Sequence, residues 1–493
     1  MVVASSQIPT QYDRAAWAKG YRSLDEEQAY WIDEIEGTLP AELTGTLFRN
    51  GPGKLEIGGT SVQHPFDGDG MICAITLDKG GAHFRNRYVR TEGYVAEKAA
   101  NKILYRGVFG TAREGGWWRN AFDTKLKNIA NTQVIYWGGK LLALWEAAEP
   151  HRLDPATLET QGLEYFNGKL KPGAAFAAHP WIDPQGPDGE ACLVNFSIQA
   201  GLSFTLNLYE LNQAGDIVRQ QDHVIPGFAF IHDFAITKNY AIFFQNPVKF
   251  NPLPFLLGAK GAGESIDFEP EKPTRVILVA RDGKSKPQVL ETKAGFIFHH
   301  SNAFEKDGKV FVDSICYASL PSVEPGSDFR DVNFGRLDPG QLWRFEMDLE
   351  AKTVDRSLLE ARCCEFPVVH PDRVGREYQY SYMGAAVEIA GNMPLQTLVK
   401  VDVTTGQETI CSYAPNGFVN EPVFVPKPGG AEEDGWLLSM VFDGVRDRSS
   451  VVVVDVKTMT QVARLWLKHH VPYGLHGTFT PEVFKGFDAQ GES

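Results

Sequence analysis

The sequence predicts an all-β protein of the propeller type, and three observations predict it. Short runs rich in β-branched and aromatic residues recur along the whole chain, long amphipathic helical periods are nearly absent, and no Pro/Ser/Gly-rich linker divides the chain. Strands spread evenly over 493 residues fit either a string of sandwiches or one propeller. The absence of a linker favours the propeller, although no Trp-Asp or kelch repeat is present.

The clearest pair of strands is predicted at residues 133–137 and 140–145, because Gly138-Gly139 between them is a two-residue hairpin turn. A second pair is predicted at residues 191–198 and 203–211. Further strands are predicted at residues 274–280, 309–317, 341–347, 398–403, 436–442 and 451–454. Helices are predicted only at residues 15–30, 113–123 and 253–257.

Composition excludes several classes of function. The chain has 48 basic and 62 acidic residues and a net charge of −14, which argues against nonspecific nucleic-acid binding. No phosphate-binding P-loop is present, and the glycines of residues 258–263 are in the wrong order for a dinucleotide fingerprint. We therefore expect neither a nucleic-acid nor a nucleotide partner.

The expected location is the cytoplasm. The six cysteines form no C-x-x-C pair and lie in strand-like apolar segments, as buried reduced thiols do. The first residues lack the basic and apolar regions of a secretory leader, and no run approaches the 18 or so apolar residues of a membrane-spanning helix.

Four of the twelve histidines have an unusual context. His179, His232 and His299 are surrounded by apolar or aromatic residues, where an imidazole needs a partner. The intervals of 53, 67 and 177 residues that lead from His179 to His476 match no zinc finger or ribbon. They suit ligands that different blades deliver onto a propeller axis. The alternative is four core histidines bonded to backbone carbonyls.

Three glutamates also lie in apolar segments: Glu146, Glu365 and Glu421. A buried carboxylate is costly unless it is paired. Metal-bound histidines usually donate their second N–H to a carboxylate. Hydrogen bonds between the histidines and these glutamates would therefore give both groups the partners that they need when buried. The alternative is glutamates at strand edges that face water.

The chain resembles the carotenoid cleavage oxygenases over almost its whole length. The matching segments begin with Leu-Phe-Arg-Asn-Gly-Pro-Gly at residues 47–53 and His-Pro-Phe-Asp-Gly-Asp-Gly-Met at 64–71, and end with Leu-His-Gly at 475–477. Segments 105–110, 128–132 and 363–371 are specific to the apocarotenoid-cleaving members. The resemblance implies one domain, residues 1–493, folded as a seven-bladed propeller with a helical cap over one face. Residues 1–20 match no motif and are expected to be a peripheral extension.

The resemblance also implies one non-haem Fe(II) per chain. Position by position, His179, His232, His299 and His476 match the iron ligands, and Glu146, Glu365 and Glu421 match the acids that orient three of them. Four neutral imidazoles would leave the ion its double charge and, in an octahedral arrangement, two open positions. The implied reaction is addition of O2 across the 15,15′ double bond of an apocarotenal such as 8′-apo-β-carotenal, giving retinal and a dialdehyde.

Residues at the open iron position and along the substrate channel follow from the same resemblance. Thr132 matches a residue close to the open position, where it would hinder or orient a further ligand. A rigid polyene needs a long apolar channel. The expected wall residues are Phe66, Trp145, Phe230, Phe298, Tyr317 and Phe366. The alternative for each of them is ordinary core packing.

A polyene substrate would arrive from a membrane, and one region suits shallow contact with it. Residues 250–257 and Trp117-Trp118 are apolar and flanked by Lys249, Lys260 and Arg119. We expect peripheral, monotopic membrane association here; the alternative is a buried lid.

Two other functions stay open at this point. The same iron chemistry could act on another polyene bond or on a stilbene, because the ligand pattern does not encode the bond that is cleaved. A protein of a different class, a non-catalytic propeller that binds partners, would use the same histidines structurally.

Overall fold

Seven antiparallel sheets form the blades of the propeller in this computed structural model, which describes residues 12–199, 204–321 and 327–486. Blades 1 and 7 have six strands each, and the other five have four. The strands of each blade, in chain order, are as follows: blade 1, Ala29–Trp31, Gly45–Arg49, Pro52–Lys54, Asp69–Asp78, Gly81–Tyr88 and Gly477–Thr480; blade 2, Gln133–Trp137, Lys140–Leu144, His151–Leu153 and Thr160–Leu163; blade 3, Trp181–Asp183, Cys192–Gln199, Phe204–Leu211 and Ile217–Ile225; blade 4, Ala235–Ile236, Tyr240–Gln245, Thr274–Ala280 and Gln288–Thr292; blade 5, Phe296–Lys306, Lys309–Tyr317, Gln341–Asp348 and Thr353–Glu360; blade 6, Cys364–Val368, Tyr380–Ala385, Thr397–Asp402 and Glu408–Ser412; blade 7, Glu34–Gly37, Gly417–Val419, Val423–Pro426, Gly435–Asp443, Arg448–Asp455 and Thr460–Trp466. Two short ribbons complete the set: Glu56–Ile57 with Thr60–Ser61, and Val248–Phe250 with Ile266–Phe268.

The ring is closed by exchange of strands between the two ends of the chain. Gly477–Thr480 pairs with Gly45–Arg49 in blade 1, and Glu34–Gly37 pairs with Thr460–Trp466 in blade 7. Each closing blade thus contains strands from both ends of the chain, which holds the first and last blades together.

The strand predictions agree closely with the structure. The predicted strands 133–137, 274–280 and 309–317 have the observed bounds, and the others differ by one to three residues at one or both ends. The hairpin of blade 2 turns through Gly138 and Gly139, whose φ angles are +57° and +73°. A two-residue turn with positive φ at both positions requires residues such as glycine, which explains the Gly-Gly pair.

The helix predictions were less accurate. The α-helices are Arg14–Ala18, Glu92–Ala100, Trp117–Asn120 and Pro252–Leu256. The short 3₁₀ helices are Lys19–Tyr21, Pro65–Asp67, Gly263–Ser265, Phe329–Asp331, Phe334–Arg336 and Pro371–Arg373. The predicted helix 253–257 is confirmed within one residue, but the predictions 15–30 and 113–123 were too long, and the longest helix of the described residues was missed.

Two insertions form the helical cap: residues 92–131, between blades 1 and 2, and residues 246–269, within blade 4. They are joined by backbone hydrogen bonds, from Phe122 N–H to the Leu256 carbonyl (2.7 Å) and from Gly263 N–H to the Val108 carbonyl (2.7 Å). The Arg106 guanidinium lies over the Phe255 ring, 4.4 Å from its centroid. The predicted cap is therefore one packed unit built from two distant segments.

The predicted peripheral extension, residues 1–20, is described from residue 12 onwards. There it packs against blade 7: Trp17 is buried together with Phe418 and Phe442. Residues 1–11 lie outside the described residues. Within the described ranges, no helix has both the length and the apolar character needed to cross a bilayer.

Candidate metal centre

The four predicted histidines reach the axis from four different blades. His476 leads into a strand of blade 1, His179 and His232 precede the first strands of blades 3 and 4, and His299 lies in the first strand of blade 5. The three glutamates come from the remaining blades 2, 6 and 7. Each of the seven blades therefore supplies one residue to this group.

The four histidines converge on one point. One ring nitrogen from each lies within 4.8 Å of the corresponding nitrogens of the other three. The ring centroids of His179 and His476 are 4.4 Å apart, and those of His232 and His299 are 5.0 Å apart. Nitrogens this close can share a single metal ion. Their role as metal ligands stays a prediction.

Each predicted glutamate contacts one histidine. His299 Nδ1 lies 2.5 Å from Glu365 Oε2, and His476 Nδ1 lies 2.7 Å from Glu421 Oε1. Glu146 is paired in the same way with His232 Nδ1. His179 has no carboxylate partner among the residues that the structure describes.

The glutamates fix the tautomers of three rings, and these tautomers make the centre suitable for binding a cation. A carboxylate only accepts hydrogen bonds, so Nδ1 carries the proton and Nε2 carries a lone pair in each paired ring. The Nε2 atoms of His232 and His299 face each other at 3.1 Å. The buried Nε2 of His179 has no hydrogen-bond partner. Lone pairs that face each other in a buried space are satisfied by a metal ion, and neutral imidazoles are a donor set that suits iron, zinc, copper or nickel.

The pKa values of the histidines depend on what surrounds each ring. Burial lowers the pKa of His179 well below its usual value, and the rings of His232 and His476 lower it further. Burial lowers the pKa of His476 to about 4, although Glu421 opposes this. Both rings are therefore neutral at pH 7, the form in which imidazole binds a metal. Burial also disfavours the charged form of His299, but Glu365, together with Asp233 and Glu421, outweighs burial and raises the pKa of that ring.

Irregular backbone directs neighbouring side chains to the centre. The pairing of the first two strands of blade 6 shifts register between Glu365 and Val368, and Phe366 has a φ of +59°. Consecutive residues of a regular strand face opposite sides, but this bulge lets Glu365 contact His299 while the Phe366 ring packs on the same imidazole at 5.5 Å. A bulky residue with positive φ is strained, as is typical of functional sites.

Three of the six predicted wall residues lie against the centre. Phe366 packs on His476 (5.4 Å between ring centroids) and Phe298 on His232 (5.4 Å). Tyr317 contacts Phe298 and donates a hydrogen bond from its hydroxyl to Glu365 Oε1 at 2.6 Å. Tyr317 thus holds a glutamate in place, which the sequence did not indicate.

The other three wall residues lie further out. Phe230 contacts Phe296, and Phe66 is partly exposed against the ring of Phe109. Trp145 is buried and lines a small cavity of about 10 Å³, together with Lys127 and other residues of segments 57–129. Their contact with a substrate stays a prediction.

Thr132 lies beside the ligand His476, because the Thr132 carbonyl accepts a hydrogen bond from the His476 N–H at 3.1 Å. Its hydroxyl donates to Asn131 Oδ1 at 3.1 Å, and Asn131 Nδ2 in turn donates to the carbonyls of Phe66 and Gly68. Asn131 therefore fixes the hydroxyl of Thr132, a role that sequence reasoning missed.

The sequence analysis also missed Arg49, which contacts Glu421 through Nη1 at 2.5 Å. Its side chain is 3% exposed. The sequence does contain a sign of this contact: Arg49 ends the otherwise uncharged strand Gly45–Arg49, and a buried guanidinium requires an acidic partner.

Comparison with known proteins now identifies the class of protein that this fold and centre define. Residues 21–481 match the family described as retinal pigment epithelial membrane protein. The chain belongs to this family of carotenoid cleavage oxygenases.

One relative is similar over nearly the full length. The chain is 53% identical over 481 residues to apocarotenoid-15,15′-oxygenase of Synechocystis sp., covering 96% of this chain and 98% of that protein. The crystal structure of the cobalt-substituted Synechocystis enzyme superposes with a TM-score of 0.94 at 52% identity, covering 95% of this chain and 99% of that one. Resveratrol cleavage oxygenase 1 of Aspergillus fumigatus is 29% identical over 474 residues, 90% of this chain and 91% of that protein.

Proposed function

We propose that this protein is an Fe(II)-dependent dioxygenase that cleaves the 15,15′ double bond of an apocarotenal with O2, giving retinal and a dialdehyde. The observation that carries the proposal is the convergence of four imidazole nitrogens within 4.8 Å, three of them on rings held by glutamates. The similarity to a relative named for this reaction supports the choice of substrate.

The four histidines would hold the iron. When bound, Fe(II) supplies the activation of O2 for addition across a carbon–carbon double bond, and no other cofactor is required because iron and substrate supply the electrons. Glu146, Glu365 and Glu421 fix the tautomers of three rings and so keep their Nε2 lone pairs directed at the ion.

The remaining residues position the substrate and exclude water. Phe298 and Phe366 cover two sides of the centre with aromatic surface, which suits a polyene beside it. Thr132, held by Asn131, orients or hinders a small ligand next to His476. Phe66, Trp145, Phe230 and Tyr317 are the further proposed wall residues.

Product analysis tests this function. Purified enzyme loaded with Fe(II) under ¹⁸O2 is incubated with 8′-apo-β-carotenal, and we expect retinal and a dialdehyde that each carry one labelled oxygen. A retinal-free product mixture, or label in only one of the two products, would contradict the proposal.

A stilbene is the second candidate substrate, because a relative at 29% identity is named for cleavage of resveratrol. Parallel incubation with resveratrol separates the two functions. The proposed function predicts a kcat/KM for the apocarotenal at least ten times that for resveratrol, and the reverse order would favour the stilbene.

Replacing Glu365 with glutamine is expected to weaken metal binding roughly 10–100-fold without unfolding the chain, because the His299 ring loses its charged partner. Competition with a chelator measures the change in the metal dissociation constant. Glu360→Gln is the matched control, since Glu360 is also buried but bonds to Arg362 rather than to a histidine. Equal affinities of the Glu365→Gln variant and the parent would contradict the role of Glu365.

We also propose that the chain acts as one propeller domain and takes its substrate from a membrane surface. The cap carries an apolar patch whose side chains are 41–77% exposed: Trp117, Trp118, Phe122, Leu253 and Leu257. Their exposure supports contact with a membrane surface over the alternative of a buried lid. Apolar side chains clustered on one surface suit contact with lipid.

Replacing Leu253, which is 62% exposed, with glutamate is expected to lower binding to phosphatidylcholine vesicles roughly 30-fold, because the variant loses about 2 kcal/mol of apolar burial in the lipid. Vesicle flotation measures the bound fraction, and iron content should not change. Val224→Glu, at a 70% exposed site on an outer strand of blade 3, is the control. Equal losses in both variants would count against the patch.

A further inference from the structure

The three glutamates of the metal centre differ in what lies behind them. Glu365 accepts a hydrogen bond from the neutral hydroxyl of Tyr317, and the side chain of Glu146 is 31% exposed to solvent. Glu421 alone contacts a cation: Arg49 Nη1 lies 2.5 Å from its Oε2. Within the described ranges, no other lysine or arginine forms an ion pair with any of the three.

The side chain of Arg49 is held in place by neighbouring residues. Its Nη2 donates to the carbonyl of Leu475, the residue before a ligand, at 2.8 Å. Gly477 lies directly opposite Arg49 in the sheet, and a Cβ there would come within 2.6 Å of Arg49 Cδ. A Cβ at this position would also come within 2.3 Å of the Phe48 carbonyl oxygen, so glycine is required both by the backbone and by the Arg49 side chain. The Gly477 N–H donates to Glu421 Oε2 at 2.8 Å. The segment that carries His476 is thus shaped around Arg49.

Arg49 adds a positive charge to the buried group around the predicted ion. Four carboxylates lie in this group, those of Glu146, Glu365, Glu421 and Asp233, and Asp233 accepts the N–H groups of Phe234 and His300. Oxidation of a divalent to a trivalent ion adds a further positive charge, which the guanidinium opposes by repulsion whatever the total charge of the group.

We propose that Arg49 is a positioning residue that acts through Glu421 and His476 to favour the ferrous over the ferric state of the bound iron. The inference rests on the proposed function, because it concerns iron at this centre. One carboxylate and one imidazole connect the guanidinium to the ion, so the two lie within about 12 Å of each other. With an effective protein dielectric of about 20, a unit charge at that distance shifts an equilibrium between two charge states by roughly tenfold or more. The arginine would thereby help to keep the ion in the state that the proposed reaction uses.

A potentiometric titration of the iron-loaded protein tests the inference, with the ferric fraction followed by its electron paramagnetic resonance signal. Arg49→Gln removes the charge and is expected to lower the ferrous-to-ferric ratio at a fixed potential at least tenfold, which is 59 mV for a one-electron couple. Arg49→Lys keeps the charge but breaks the two-pronged contact, and its ratio should stay within about threefold of the parent.

Removal of Arg49 alone leaves Glu421 buried and unpaired, so the Arg49→Gln variant can fail to fold. The same charge is then removed in the Glu421→Gln background, where no carboxylate is left unpaired. There too, adding Arg49→Gln should lower the ratio at least tenfold. Arg344→Gln is the control, because Arg344 pairs with the buried Asp313 in blade 5 away from the centre, and the ratio should not change.

The outcomes are distinct. An unchanged ferrous-to-ferric ratio in both Arg49 variants would overturn the inference. Equal shifts in the Arg49→Gln and Arg49→Lys variants would also overturn it, because they would show that the contact geometry of Arg49, rather than its charge, determines the ratio. A parent protein that binds no iron would overturn the proposed function instead.

Discussion

Replacing His179 with alanine is expected to remove the metal from a chain that still folds. A four-ligand metal site contributes roughly 10–16 kcal/mol, so one ligand accounts for about 3 kcal/mol, or more than 100-fold in affinity. Among the four predicted ligands, His179 is the one to replace because no carboxylate of the described residues is bonded to it. Its removal therefore leaves no buried charge unpaired, unlike the removal of His299 or His476.

Elemental analysis of the purified variant gives the iron content per chain, and circular dichroism verifies folding. Cleavage of the apocarotenal should fall below detection together with the iron. The control is His300→Asn: His300 follows a ligand in the sequence but bonds through Nδ1 to Ser314 at 2.7 Å. Asparagine can replace that bond, so iron content should stay at the parent level. Parent-level iron in the His179 variant would contradict its role as a ligand.

Replacing Arg281 with methionine is expected to destabilise the chain by about 3 kcal/mol, because it breaks a buried ionic contact between two blades. Arg281 follows a strand of blade 4 and donates to Asp183 Oδ2 (2.7 Å) and Glu210 Oε1 (2.8 Å) of blade 3. All three side chains are at most 4% exposed. Arg376 and Arg219 still contact the two carboxylates, which keeps the expected loss at the lower end of the range for buried pairs.

Urea unfolding measures this loss as a shift of the transition midpoint at constant slope. The control is Lys306→Met, which breaks an exposed ion pair with Glu377, where a loss below about 1 kcal/mol is expected. Similar losses in both variants would show that the Arg281 network does not hold blades 3 and 4 together.

The strands were predictable because their signals are local. β-branched and aromatic runs bounded by turns identify strands such as Thr274–Ala280 and Lys309–Tyr317 without knowledge of the rest of the chain. Glu92–Ala100 was missed because it is short and contains a glycine in its first turn, which weakens the helical pattern. The predicted helix 15–30 was too long because the backbone becomes extended after Tyr21 and forms a strand from Ala29. The number of blades came from the family resemblance rather than from any repeat in the sequence.

The metal centre was partly predictable for a similar reason. Histidines and glutamates in apolar surroundings are visible one at a time, since each needs a partner when it is buried. Which glutamate pairs with which histidine depends on the order of blades around the ring. Arg49 and Glu421 are 372 residues apart, and they meet only because the last strand closes blade 1. The bulge at Phe366 is likewise set by pairing with a neighbouring strand.

The most direct test of a mononuclear iron centre is an anomalous difference map at the iron absorption edge, from crystals of the iron-loaded protein. We expect a single peak that lies within bonding distance of one nitrogen from each of four histidines: His179, His232, His299 and His476. A peak bound by only some of these rings, or located elsewhere in the chain, would contradict this account.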